Sequence, residues 1–483
     1  MSSLIKFIFL FTLIQLSLSL SQSDIPNFDK YYKPNEFSYD MFNSNSQYSW
    51  YRYKQSEHFF VFWESGFGSD PNGSSVPSNL RVDVDDLLVK AEMFYNTNIN
   101  KVKMATLGSG KSNLDKYKLE IYLLYSTDWV ATGSGYDNVI GALWVTPNTC
   151  QPVGSVIGHE IGHTFQYQVY CDQIAQGITS EWDFKTGYRY GYEGSNGGNG
   201  FWEQTAQWQS FLDYPGEIFT CWEFEVEWIP HQHRHFEHEY MRYGSYWLHF
   251  YWASKHGLDA IGNIWRNSKY PEDGIATYTR LYNNDNYATT REELFDYALR
   301  MATYDIDGIR EYSANYEDRY STKFYTDSGG YYQIAYAKCP GATGFNVIQL
   351  NVPSGSNKEV SVEFIGLKPG ANLASGDPGQ YYDSVDNGYA GTVSHYNTVN
   401  KDNVGWRYGF VAHLKDDSRV YSNAFSDSKA TVSFIVPDNT KKLYFVVQGS
   451  PESYIHSAWD DKETTDAQFP YKIMLTNTGL ANN

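Results

Sequence analysis

Residues 158–166 read Gly-His-Glu-Ile-Gly-His-Thr-Phe-Gln and carry the strongest chemical signal in the chain. His159 and His163 stand four residues apart and so share one face of a helix, with Glu160 directly after the first. In this H-E-x-x-H arrangement two imidazoles can hold one Zn²⁺ while the glutamate takes a proton from water. A zinc hydrolase needs three protein ligands and one open position. The pattern with a third histidine further along the same segment is disfavoured, because Val169 stands where that histidine would fall and Gln166 replaces its glycine. An acidic residue on a later helix is the remaining option. Glu203 is preferred, since it follows a Gly-rich loop and opens a helical W-E-x-x-A segment; Glu181, Asp183, Glu193 and Glu217 are the alternatives. Glu160 cannot face the metal as its neighbours do, so it sits beside the open position as general base and then acid.

The metal-site helix is expected over residues 153–170, with no proline to interrupt it. Val156, His159, Glu160, His163 and Tyr167 form one stripe that can line a cleft, and Ile157, Ile161 and Phe165 a second that can anchor in a core. Strands are expected at residues 56–63, 117–125 and 139–145, a helix at 85–98, and a turn-rich loop at 133–138. After the site, residues 171–200 lack a period, a helix begins at Phe201, and a strong helix is expected over 239–256, stopped by Gly257. Near Ser328 the texture changes to short alternating runs at 346–352, 360–367, 407–414, 431–436, 443–448 and 471–476, the pattern of a β-sandwich. The fold class is α+β: a small sheet, a mainly helical subdomain and a C-terminal β-sandwich.

Residues 1–21 have one positive charge, an apolar run and small residues at the end, which describes a secretory signal peptide. No other run is long enough to span a membrane. A secreted protein, or one delivered to a secretory or endolysosomal lumen, is expected, with an irregular lead-in or short pro-segment at 22–50. A catalytic domain would follow at 51–325, sheet-containing to 150 and helical from 151, and the sandwich at 331–483. Cys150, Cys171, Cys221 and Cys339 could form two disulfides in an oxidising compartment, and Asn72-Gly73-Ser74 is an N-glycosylation sequon. The net charge of −19 argues against nucleic acid and anionic membranes as partners. Aromatic content of 18% favours contact with sugars or peptides, although packing accounts for most aromatic side chains.

The order of a Gly-Ala strand, the H-E-x-x-H helix, the W-E-x-x-A helix and a Tyr-rich helix ending in glycine resembles the gluzincin metallopeptidases, the thermolysin-like and aminopeptidase-like group. The resemblance covers roughly residues 117–260 and implies a zincin-like core holding one catalytic Zn²⁺. It also implies Glu203 as third ligand and an edge strand above the metal that pairs with the substrate backbone, matched here by Gly141, Ala142, Leu143 and Trp144. A tyrosine that stabilises the oxyanion falls on Tyr240 or Tyr243, though the tyrosine-to-glycine spacing departs from the aminopeptidase pattern. The whole chain also resembles a family of secreted proteins of microbes and protists with a zincin-like core and a C-terminal β-domain.

Two further clusters stand out. His231, His233, His235 and His238 could bind a second metal, with a solvated loop or a lid as the plainer reading. Asp460, Asp461, Glu463 and Asp466 could hold Ca²⁺ but lack the spacing of a calcium loop, so a solvated turn is the plainer reading there. Trp144, Trp202 and Trp208 hint at an aromatic cleft. The function expected is a secreted zinc metallopeptidase acting on a peptide or glycoprotein. The alternative is a secreted carbohydrate-binding or extracellular-matrix protein on a non-catalytic zincin scaffold. A zinc hydrolase acting on another bond is a third, since the metal chemistry is not bond-specific.

Overall fold

The computed structural model describes residues 20–108, 110–180, 198–383, 388–460 and 462–481. Most of the expected signal peptide, residues 1–19, lies outside them. Among the described residues no helix is long and apolar enough to cross a membrane.

The first layer is a five-stranded sheet of β1 (Tyr53–Gln55), β2 (Phe59–Trp63), β3 (Leu119–Leu123), β4 (Ala131–Tyr136) and β5 (Ile140–Val145). Its order is β1-β2-β3-β5-β4; β2, β3 and β5 run parallel and the two edge strands antiparallel. Continuous apolar runs such as Phe59-Phe60-Val61-Phe62-Trp63 belong to strands covered on both faces. Phe59 meets Tyr95 of α1 (Val84–Asn96), and Tyr95 meets Phe165 of α2 (Ser155–Ala175). The opposite face is covered by the lead-in: Tyr31 and Trp50 pack on Phe60 and Phe62, and Phe37 and Tyr48 on Tyr122. Residues of the 22–50 segment are built into the core, because a sheet this apolar needs a second cover.

The helical half holds α3 (Gly198–Phe211), the single turn α4 (Ile229–His231), α5 (Trp247–His256), α6 (Asp259–Asn267), α7 (Gly274–Asn283) and α8 (Tyr287–Met301). The long helix expected over 239–256 is a 3₁₀ turn at Glu239–Met241, a non-helical break, and then α5, whose C-cap is Gly257.

The first strand of the C-terminal sheets starts at Phe324. One sheet has order β14 (Lys429–Ile435), β9 (Glu359–Gly366), β16 (Tyr471–Thr476), β7 (Tyr332–Ile334), β6 (Phe324–Thr326). The other has β13 (Arg419–Tyr421), β12 (Trp406–Leu414), β15 (Thr440–Gly449), β8 (Phe345–Leu350), and a separate hairpin pairs β10 (Gln380–Asp383) with β11 (Gly388–Thr392). All six expected runs are strands; the extra ones are short or peripheral.

The sandwich is locked to the helical half by the two clusters read as solvated. Buried Arg234 pairs with Glu463 and Asp466, and His238 Nε2 lies 3.1 Å from Asp466 Oδ2. Tyr454 and His456 both engage the buried carboxylate of Asp273, at 2.7 and 2.6 Å. The lid and calcium-loop readings therefore give way to a domain interface; Asp461 lies outside the described residues. All four cysteines are free thiols, so neither expected disulfide forms.

One buried group makes stability pH-dependent. Asp172 in α2 accepts from the Asn113 amide (2.9 Å) and Gln168 Nε2 (2.7 Å), and burial raises its pKa to about 6. The folded carboxyl holds its proton more tightly than the unfolded one, so this contribution is present below pH ~4 and is lost as pH rises to about 6. Asp172→Asn, which keeps the acceptor, is expected to raise stability at pH 7.5 by about 3 kcal/mol and to change it little at pH 4. Urea melts at the two pH values check this, and equal shifts at both would contradict it.

Candidate metal centre

Helix α2 presents His159 and His163 one turn apart, their rings edge to face with centroids 4.5 Å apart. Helix α3 brings Glu203 to them: its Oε2 lies 3.1 Å from His159 Nε2 and 2.9 Å from His163 Nε2. The three potential ligand atoms lie within 4.8 Å of one another, and no other such group of three occurs among the described residues. The approach of the helices depends on Gly162, where a Cβ would fall 2.7 Å from Gln209 Oε1 and 3.2 Å from Ala206 Cα.

The other ring nitrogens are held by two glutamines that the sequence reading did not single out. His159 Nδ1 lies 2.8 Å from Gln207 Oε1, and His163 Nδ1 lies 2.9 Å from Gln166 Oε1. Gln166 donates its Nε2 to the Trp202 carbonyl at 3.0 Å, which leaves its Oε1 for the histidine. An amide oxygen only accepts, so each Nδ1 carries the proton and each Nε2 turns its lone pair toward the common point. The donor set, two imidazole nitrogens and one carboxylate oxygen, fits a catalytic Zn²⁺. The helical spacing held a signal for both: Gln207 stands four residues after Glu203, and Gln166 three after His163.

Burial disfavours a charged His159, but Glu203 and Glu160 outweigh it and hold its pKa above the ordinary value. Burial likewise disfavours a charged Glu203, and the two histidines outweigh it, keeping its carboxyl below the usual range.

Glu160 is 6% exposed, and its Oε2 accepts from the Gly133 amide at 2.6 Å. Gly133 belongs to β4, which crosses directly over α2: a Cβ there would lie 2.0 Å from the Glu160 carbonyl oxygen. The stretch expected to be an edge strand is an inner one. Gly141, Ala142, Leu143 and Trp144 lie on β5, whose two edges are taken by β3 and β4. Among the described residues the edge strand on this side of the sheet is β4, in the stretch read as a turn-rich loop, and its Ala131, Thr132 and Gly133 line a cleft of about 720 Å³ together with the histidines.

Tyr243 lines the same cleft, with its ring 5.8 Å from that of His159. Burial and the neighbouring Glu203 carboxylate push its phenol pKa up, so it is a donor. Tyr240 is elsewhere, packed on His238, Arg234 and Tyr382, because the chain breaks between the 3₁₀ turn and α5. Glu217 bonds Ser155 at the start of α2 instead of joining the histidines; Glu181, Asp183 and Glu193 lie outside the described residues. Of the expected cleft aromatics, Trp202 stacks on His163 at 5.1 Å, Trp208 is fully buried, and Trp144 packs on Tyr122 and Tyr136. The exposed tryptophans of the cleft are Trp129 and Trp222, 63% and 68% exposed, which the sequence reading did not single out.

The chain belongs to the family described as "Family of unknown function (DUF6055)", whose model matches residues 24–482. No curated protein matches it. Among solved structures it is similar to the M60 catalytic domain with the CBM51-1 and CBM51-2 domains from Clostridium perfringens ZmpB, at 10% identity and a TM-score of 0.23. That match covers 90% of this chain and 60% of the other, so the chain spans less than two thirds of that structure's length. A likeness of this strength carries no argument here.

Replacing Gln207 by Leu leaves His159 Nδ1 without its acceptor. Zinc affinity is expected to fall about 10- to 100-fold, read by competition with a chromophoric chelator, with the melting temperature nearly unchanged. An unaltered affinity would show that Gln207 does not orient the ligand.

Proposed function

We propose that this chain is a zinc-dependent peptidase, exported from the cell, with His159, His163 and Glu203 as its metal ligands. The observation that carries the proposal is the meeting of those three ligand atoms within 4.8 Å, with both histidines held in the metal-binding tautomer. Export rests on the character of residues 1–21. When bound, Zn²⁺ supplies Lewis acidity to the scissile carbonyl and a lowered pKa to water.

The chain's own residues do the rest. Glu160, fixed by the Gly133 amide, takes the proton of the attacking water and returns it to the leaving amine. The protonated phenol of Tyr243 donates to the oxygen on which charge develops. The free edge of β4 offers its backbone to an extended peptide, which positions the scissile bond over the site.

A carbohydrate-binding scaffold without turnover is the second reading, favoured by Trp129 and Trp222 at the rim of the same cleft. The buried, hydrogen-bonded Glu160 favours the first, because a scaffold has no use for a carboxylate held beside three metal ligands.

The purified protein is expected to hold one zinc per chain and to lose peptidase activity to a chelator. Glu160→Gln should cut kcat about 10²- to 10⁴-fold at unchanged zinc content, and Tyr243→Phe about 10²-fold. Absence of stoichiometric zinc, or full activity in Glu160→Gln, would overturn the reading.

A further inference from the structure

Arg242 lines the cleft beside Tyr243 and is half-buried. Its guanidinium lies over two rings, 5.2 Å from the centroid of Tyr243 and 5.6 Å from that of Trp459, which comes from the sandwich domain. Rings beside a guanidinium attract it through cation–π interaction but do not accept its N–H groups as a carboxylate does. No such acceptor is supplied: among the described residues the Arg242 side chain makes neither a hydrogen bond nor an ion pair.

Three of the cleft carboxylates each have one oxygen engaged elsewhere, and the charge of Arg242 acts on one of them, Glu227, without a hydrogen bond or ion pair. Glu203 Oε2 meets the two histidines, and Glu160 Oε2 holds the Gly133 amide. Glu227 Oε2 accepts from the Tyr243 and Gly244 amides, both at 2.9 Å, which fixes the backbone that carries Arg242. Glu223 shares that wall but forms no ion pair with the arginine. The chain therefore places a guanidinium between two rings, with no hydrogen-bonded acceptor for it among the described residues, next in sequence to the tyrosine beside the ligand helix. The group that matches those edges in plane and charge is a carboxylate.

We propose that Arg242 is the anchor for a carboxylate of the substrate, and that Trp459 of the sandwich domain holds the guanidinium in position to receive it. This deepens the peptidase reading and rests on it: the anchor selects peptides that carry a carboxylate near the cleaved bond. It also gives the C-terminal domain a part in specificity, since one of the two rings on Arg242 is its own. The carboxylate has two sources, the free C-terminus of a peptide or an acidic side chain within it, and both present the same two oxygens.

The test uses the full chain carrying Glu160→Gln, so that binding is read without turnover. Calorimetry compares hexapeptides that differ only as C-terminal acid against C-terminal amide, or as internal Glu against Gln. The acid member of one pair is expected to bind at least ~10-fold tighter, and the pair that shows it names the source. Adding Arg242→Gln should abolish the preference, Arg242→Lys should leave part of it, and Trp459→Ala should weaken it several-fold, all at unchanged zinc content and melting temperature. No preference for either acid, or one that persists in Arg242→Gln, overturns the proposal while leaving the peptidase reading intact. A protein that takes up no zinc overturns the peptidase reading; the same comparison on that metal-free protein still decides the role of Arg242.

Discussion

The close packing of α3 against α2 is the constraint from which the rest of the site follows. Glu203 can meet His159 and His163 only because the two helix backbones approach at Gly162 and Ala206. The same approach brings Gln207 to His159 and the Trp202 carbonyl to Gln166. One helix contact thus sets the ligands, their tautomers and the ring that covers His163. A buried cluster of two imidazoles and a carboxylate is costly to assemble unless each polar atom is answered. Here each Nδ1 is answered by a glutamine oxygen, and the two Nε2 lone pairs and the Glu203 oxygen that converge on one point would be answered by a shared cation.

A second close contact completes the site from the other side. β4 lies on α2 at Gly133, which both fits the strand against the helix and supplies the amide that holds Glu160. The general base and the free strand edge are consequently one construction. The helical half adds Tyr243 through a turn pinned by Glu227, and the sandwich reaches the same wall through Trp459. The domain contact behind that wall pairs charges of which one partner at least is buried: Arg234 with Glu463 and Asp466, and Asp273 with the exposed His456. Breaking such pairs singly leaves a buried charge without its partner, which ties the domains in one arrangement.

Much of this could be read from residue spacing, and the parts that could not share a physical reason. The His159–His163 interval, a later helix carrying Glu203, and the alternation of the long sandwich strands are local periodicities, and local periodicity is what a sequence displays. β4 escaped because Ala131-Thr132-Gly133-Ser134-Gly135-Tyr136 has the composition of a turn, whereas its glycines answer to the helix beneath. Tyr240 and Tyr243 look equivalent in sequence and are separated by a break whose cause is packing: a Cβ at Gly244 would meet the backbone of Trp228 at 2.9 Å. The histidines at 231–238 looked solvated because a partner of one of them, Asp466, lies 228 residues away along the chain. A similar separation along the chain hid the contact between Arg242 and Trp459.

The central claim is that one metal ion is held by two residues of α2 and one of α3. Anomalous diffraction at the zinc edge, from crystals of the protein purified without added metal and then soaked in zinc, addresses it directly. A single strong peak is expected in bonding contact with His159 Nε2, His163 Nε2 and the Glu203 carboxylate. A peak that leaves out Glu203, or none between the two helices, would contradict it.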